Sequence, residues 1–173
     1  MGAALCASMS AMRATIFTVA SSWPGTLSTM ARPRGGEWLA DEMAALRVAG
    51  TDILVSMLTA SELRELELTE EAASAEASGI RFISLPTPDR GTPGAKAFRA
   101  LVTELVEELA SGRHVVVHCR MGIGRSSLVA AGCLLAQGMA AEEAWAAISD
   151  ARGLAVPDTP EQRRWLQRAM GPG

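Results

Sequence analysis

The apolar positions change their period several times along the chain, and each change marks an element. In TIFTVA (15–20), β-branched and aromatic side chains fill a short run that the SSWPG cluster ends, which predicts a first strand. From residue 37 to 49 apolar side chains recur at Leu39, Met43 and Leu46, a helical spacing, and Gly50 stands where a helix C-cap belongs. DILVSML (52–58) has the character of a buried strand, TASELRELEL and EEAASAEA are rich in helix formers, and IRFISL (80–85) predicts a further strand before PTPDRGTPG breaks regularity. Between residues 95 and 110, Phe98, Leu101, Val102, Leu105, Val106 and Leu109 form one helical stripe, which Ser111 and Gly112 stop. HVVVH (114–118) is a continuous apolar run, as expected of a strand covered on both faces. RSSLVAAGCLLAQ then predicts a helix ended by Gly138, and two more helices follow over about 140–152 and 159–169. This alternation predicts an α/β three-layer sandwich: a central, mostly parallel sheet of four to five strands flanked by helices.

Composition narrows the picture. A chain of 173 residues fits one domain, expected over residues 15–173, with residues 1–14 as a flexible N-terminal extension. That extension, MGAALCASMSAMRA, lacks the basic n-region and long apolar run of a signal peptide. With a net charge of -3 and no basic tract, nucleic acid and membrane surfaces have no electrostatic claim as partners. No apolar run reaches membrane-spanning length. Cys6, Cys119 and Cys133 include no CxxC pair, which argues against a disulfide framework and a zinc site. A reducing cytoplasm and an activity without metal or cofactor are the expectation. Oligomeric state is left open.

One stretch, HCRMGIGRSS (118–127), carries chemistry, because it lies between a buried strand and a helix, where ligands gather in α/β sheets. Gly122 and Gly124 let the backbone of Arg120, Met121, Gly122, Ile123 and Gly124 fold into a concave nest of amides for a tetrahedral oxyanion. Arg125, six residues after Cys119, can grip two oxygens through its planar fork. These donors also favour a thiolate at Cys119.

The pattern H-C-x5-R-S resembles the signature of the cysteine-dependent protein tyrosine and dual-specificity phosphatases. By that resemblance Cys119 is the nucleophile, Arg125 the phosphate-binding arginine and Ser126 the hydroxyl that steadies the leaving thiolate. Residues 120–124 are the amide cradle, and His118 orders the loop. Asp89, in LPTPDRGTP and thirty residues before Cys119, matches the placement of the family's general acid, although Pro-Asp-x-Gly also favours a plain turn. Together with residues 24–58, the acid loop looks most like the kinase-associated phosphatase subgroup. Gln162 stands where a glutamine positions the hydrolytic water in some relatives, yet Thr159, Pro160 and Gln162 also fit a helix start with a capping box, the preferred reading. Arg90 and Arg120 are candidates to draw a phosphorylated substrate, Cys133 is expected in the core, and His114 has no assigned partner. The chain contains no Tyr, so the tyrosine that walls a deep phosphotyrosine pocket in larger relatives is missing and a shallower cleft is expected.

The resemblance implies hydrolysis of phosphotyrosine in a phosphorylated protein or peptide, with phosphoserine and phosphothreonine as further substrates, through a phosphocysteine intermediate. A phosphoinositide or other small phosphomonoester is the alternative substrate. A sulfurtransferase, whose loop is usually shorter, and a phosphate-binding module without turnover are the other readings.

Overall fold

A computed structural model describes residues 15–171; the extension expected over residues 1–14, with Cys6, lies outside them. The elements are β1 (Phe17–Val19), β2 (Thr26–Ala31), a 3-10 turn (Gly36–Trp38), α1 (Leu39–Val48), β3 (Ile53–Ser56), α2 (Ala60–Glu65), α3 (Glu71–Ala77), β4 (Arg81–Ser84), α4 (Ala95–Ala110), β5 (His114–Cys119), α5 (Arg125–Ala136), α6 (Ala141–Arg152) and α7 (Pro160–Met170). The five strands form one sheet in the order β1-β2-β5-β3-β4, in which only β1 runs antiparallel to its neighbour.

β5 lies at the centre, and its period of two divides the core. Val115, Val117 and Cys119 pack into one apolar layer with α4, α5, α6 and α7, whereas Val116 faces the other with Met30, Met43, Leu54 and Ile80. Covering both faces explains why β5 is apolar throughout. α5 is buried along nearly its whole length, because it sits between the sheet and the outer helices. It approaches α4 so closely that a Cβ on Gly132 would stand 2.7 Å from Phe98 Cζ.

The expected helices and strands all form, with Gly50, Gly112 and Gly138 at positive φ after their helices. The omission is β2. TLSTMA shows no apolar run, yet it pairs with β5 from Thr26↔His114 to Ala31↔Cys119 and buries Ser28 and Thr29 completely. Ser28 meets Thr18 and His114 through side-chain hydrogen bonds of 3.3 and 3.0 Å, so a polar side chain is accommodated inside the sheet. That contact gives His114 its partner, and burial lowers the affinity of its ring for a proton, against the opposing charge of Asp52 and a hydrogen bond with Gly50.

Candidate active site

The loop 120–124 turns the chain from the carboxyl end of β5 into the N-terminus of α5. Its turn depends on Gly122, which has φ +69 and packs against the end of β2; a Cβ there would meet the backbone of Met30 at 2.6 Å. The loop carbonyls are taken up outside the cradle. Arg120 O accepts from Arg32 N at 3.3 Å, while Arg152 at the end of α6 donates to Met121 O at 3.1 Å and to Gly122 O at 3.2 Å. No side chain caps α5, so its first amides, at the positive end of the helix, are available to an anion. Met121 is 60% exposed and presents an apolar face at the loop surface.

Cys119 is 3% exposed, and its Sγ donates to Ser126 Oγ at 3.4 Å. His118 is wholly buried, with Nδ1 3.3 Å from Cys119 O and Nε2 2.6 Å from Glu71 Oε1. That second contact is close, although neither atom completes a hydrogen bond of normal geometry. His118 thus sits between a buried carboxylate of α3 and the backbone of the cysteine.

Arg125 is the largest charged side chain buried here, and it is 1% exposed. Its two Nη atoms each donate to Glu62 at 2.8 Å, and Nη1 also donates to Thr87 O at 2.8 Å, so the guanidinium plane is fixed before any anion arrives. Nη2 reaches Asp89 Oδ1 at 3.1 Å. Burial alone would lower the proton affinity of Arg125; the hydrogen bond with Glu62 and the charges of Cys119, Glu62 and Asp89 reverse this and raise it. Conversely, the Arg125 hydrogen bond holds the Glu62 carboxyl at about 2 against the opposing cost of burial, with Thr59 helping. Glu62 is placed by the capping box that starts α2, where Thr59 Oγ1 accepts from Glu62 N and Glu62 Oε2 accepts from Thr59 N.

Asp89 is 61% exposed and stands beside Arg125, on the loop that joins β4 to α4. Gln162 is buried and holds two places together: Oε1 accepts from Thr159 N, completing the expected capping box of α7, and Nε2 donates to Gly91 O at 3.1 Å. It also lies close to Gly124, where a Cβ would stand 2.9 Å from Nε2. Arg120 is less free than expected, since it is paired with Glu65 at 2.5 Å. Burial alone raises the Cys133 thiol to about 12, as befits a core residue. Sequence reasoning missed Glu62, Glu71 and Arg152 at this site, and also Asp158, whose Oδ2 lies against Gly124. For Glu62 a signal existed, because TASE is a capping-box pattern that fixes where the fourth residue points.

A buried cysteine at the end of a parallel strand, an uncapped helix start and a locked arginine six residues on make an arrangement that can receive a tetrahedral oxyanion. The family model described as Tc-R-P, polymorphic toxin system, DSP-PTPase phosphatase matches residues 28–139, and the chain belongs to this dual-specificity phosphatase family. Cyclin-dependent kinase inhibitor 3 of Rattus norvegicus is 30% identical over 124 residues, which make up 70% of this chain and 58% of the relative. The Sus scrofa protein of the same name is 34% identical over 84 residues, 47% of this chain and 39% of its own. The chain therefore spans less than two thirds of these curated relatives. Among solved structures, kinase-associated phosphatase with its catalytic-site cysteine replaced by serine superposes with a TM-score of 0.83 at 22% identity, over 94% of this chain and 99% of that one. PTPMT1 in complex with PI(5)P has the same fold, with a TM-score of 0.69 at 23% identity over 83% and 89% of the two chains. Among the described residues no helix is long and apolar enough to cross a membrane.

Proposed function

We propose that this protein is a cysteine-dependent phosphatase that hydrolyses phosphotyrosine, and also phosphoserine and phosphothreonine, in protein or peptide substrates in the cytoplasm, and that residues 15–173 act as one catalytic domain. The observation that carries the reading is the fixed pair of Cys119 and Arg125 flanking a helix start, with Arg125 held at 2.8 Å by both oxygens of Glu62. In the first step the Cys119 thiolate attacks phosphorus while the P–O bond to the leaving group breaks. Arg125 and the amides of residues 120–124 take the charge that develops on the equatorial oxygens. Asp89, beside Arg125, donates a proton to the departing oxygen. In the second step water displaces Cys119 from phosphorus, and Ser126 stabilises the thiolate as it leaves. His118 fixes the backbone at Cys119, and Gln162 ties the start of α7 to the Asp89 loop. Met121 offers apolar surface to an aromatic leaving group.

The test is kcat/KM measured on phosphotyrosine, phosphoserine and phosphothreonine peptides beside soluble phosphoinositide headgroups and vesicle-embedded phosphoinositides. Preference for the peptides is expected. A preference of tenfold or more for a phosphoinositide would reassign the substrate to the lipid class.

A further inference from the structure

The ladder between β2 and β5 breaks at the peptide that follows Cys119. β2 takes every second carbonyl of β5, beginning with Arg113 O, which accepts from Thr26 N at 3.0 Å. Continued to its end, this register would give Cys119 O to Arg32 N. Instead Arg32 N donates to Arg120 O, and Cys119 O faces His118 Nδ1 at 3.3 Å. The Cys119–Arg120 peptide is trans, so its C=O and N–H point in opposite directions. With its oxygen held against His118, the peptide turns the Arg120 N–H, the first amide of the cradle, away from that ring. This N–H has no backbone acceptor among the described residues.

A carbonyl oxygen only accepts, so the contact requires a proton on Nδ1. A neutral imidazole has a single N–H, on Nδ1 or on Nε2, and the partner of one nitrogen decides the state of the other. What stands at Nε2 therefore matters. It lies 2.6 Å from Glu71 Oε1, and neither oxygen of that carboxylate has a hydrogen-bond partner among the described residues. Both side chains are buried, His118 wholly and Glu71 to 1% exposure. Glu71 reaches in from the first turn of α3, on the face it shares with Ala75. On the neighbouring strands Met30 and Ser56 stand beside His118, while the buried carboxylates of α1 and α2, Glu42 and Glu62, are bound to Arg34 and Arg125. Burying a carboxylate costs stability that one histidine contact does not return, so packing alone gives no reason for Glu71.

We propose that Glu71 is a positioning residue of the phosphatase site: sharing one proton with Nε2, it fixes the His118 ring at both ends, so that Nδ1–H holds the Cys119 carbonyl and aims the Arg120 amide into the cradle. This rests on the phosphatase reading above. A ring tied at both nitrogens keeps its plane, and a proton shared with a carboxylate makes the opposite N–H a stronger donor. With an apolar side chain at position 71 the ring is held by one contact only. The peptide it steadies is then free to rejoin the ladder through Cys119 O and Arg32 N, which turns the Arg120 amide out of the cradle.

The experiment compares wild type, Glu71→Leu and Glu71→Gln, each assayed well below its unfolding transition, by kinetics and by NMR of ¹⁵N-labelled histidine. Removing an oxyanion donor outright costs about 10²–10³ in rate, so loosening one in Glu71→Leu should lower kcat/KM for p-nitrophenyl phosphate by about 10–100-fold and weaken vanadate inhibition in step. Glu71→Gln, whose amide still hydrogen-bonds Nε2, should recover a large part of that loss. In wild type Nδ1 of His118 should carry a proton protected from exchange, and Glu71→Leu should expose it; the other histidine in the chain is His114. Wild-type kinetics in Glu71→Leu, or a wild-type ring with its proton on Nε2 alone, would overturn the proposal. So would a lower Tm in both variants with the Nδ1 signal and the kinetics of the folded enzyme unchanged, the outcome for a carboxylate that serves the fold alone. Vanadate binding and the Nδ1 proton need no turnover, so they test Glu71 by themselves. If Cys119→Ser retains turnover, the phosphatase reading fails instead.

Discussion

Replacing Glu62 with Gln should remove the charge that holds Arg125 while keeping the capping-box acceptor for Thr59. Arg125 is 1% exposed, so water cannot take over the lost contacts. The size of the effect follows from the proton affinity of Glu62, which falls from an ordinary 4.5 to about 2, a preference for the charged, paired form of about 3 kcal/mol. Breaking a buried pair by removing one partner costs about 3–5 kcal/mol, which agrees. In a domain of this size such a loss lowers Tm by roughly 6–12 °C. Because the folded carboxyl is depressed, its stabilisation is complete above about pH 4.5 and is lost as pH falls toward 2. The assay is thermal unfolding of wild type and Glu62→Gln between pH 2.5 and 7, with vanadate inhibition at pH 7 as a second readout. The gap in Tm should narrow in acid, and vanadate should bind the variant more weakly. A Tm within 2 °C of wild type at pH 7, or a gap that does not change with pH, would refute the reasoning.

Asp89→Asn should slow phosphotyrosine and phosphoserine peptides by about 10²–10⁴-fold and p-nitrophenyl phosphate least, because a nitrophenol departs almost unaided; an equal, small loss of kcat/KM on all three would leave Asp89 as a turn residue. Activity should persist in excess EDTA and be blocked by vanadate, since Arg125 and the loop amides supply the positive charge; chelator-sensitive activity restored by a divalent ion would contradict this. Gly132→Ala should destabilise the fold by about 1–3 kcal/mol through overpacking against Phe98 and Val102, although Ala is the better helix former. Urea unfolding checks it, and a stabilised variant would show that α4 and α5 are not so tightly packed.

Elements with a strong period could be read from the sequence because burial wrote it there. The stripe from Phe98 to Leu109 matches α4 end to end, and the apolar run before Cys119 is β5, covered on both faces. β2 hides because its interior positions include Ser28 and Thr29, and the hydrogen bonds of Ser28 to Thr18 and His114 join residues far apart in sequence. The site divides in the same way. Cys119, Ser126 and Arg125 lie within one turn of chain and announce themselves by spacing, and Asp89 by its loop. Glu62, Glu71, Arg152 and Asp158 reach the loop only through tertiary packing, from α2, α3, α6 and the segment before α7. Each sits in a polar stretch that reads as an ordinary solvated surface. Only for Glu62 did the local pattern hold a clue to the side chain's direction.

The claim at the centre is that phosphoryl transfer passes through Cys119. Enzyme in slight molar excess over a ³²P-labelled aryl phosphate, quenched in acid within milliseconds and digested, should yield label on the one peptide that contains Cys119. The label should be cleaved by iodine, as an S–P bond is, and absent from Cys119→Ser, which should still bind vanadate. Label on another peptide, or full turnover by Cys119→Ser, would contradict the mechanism.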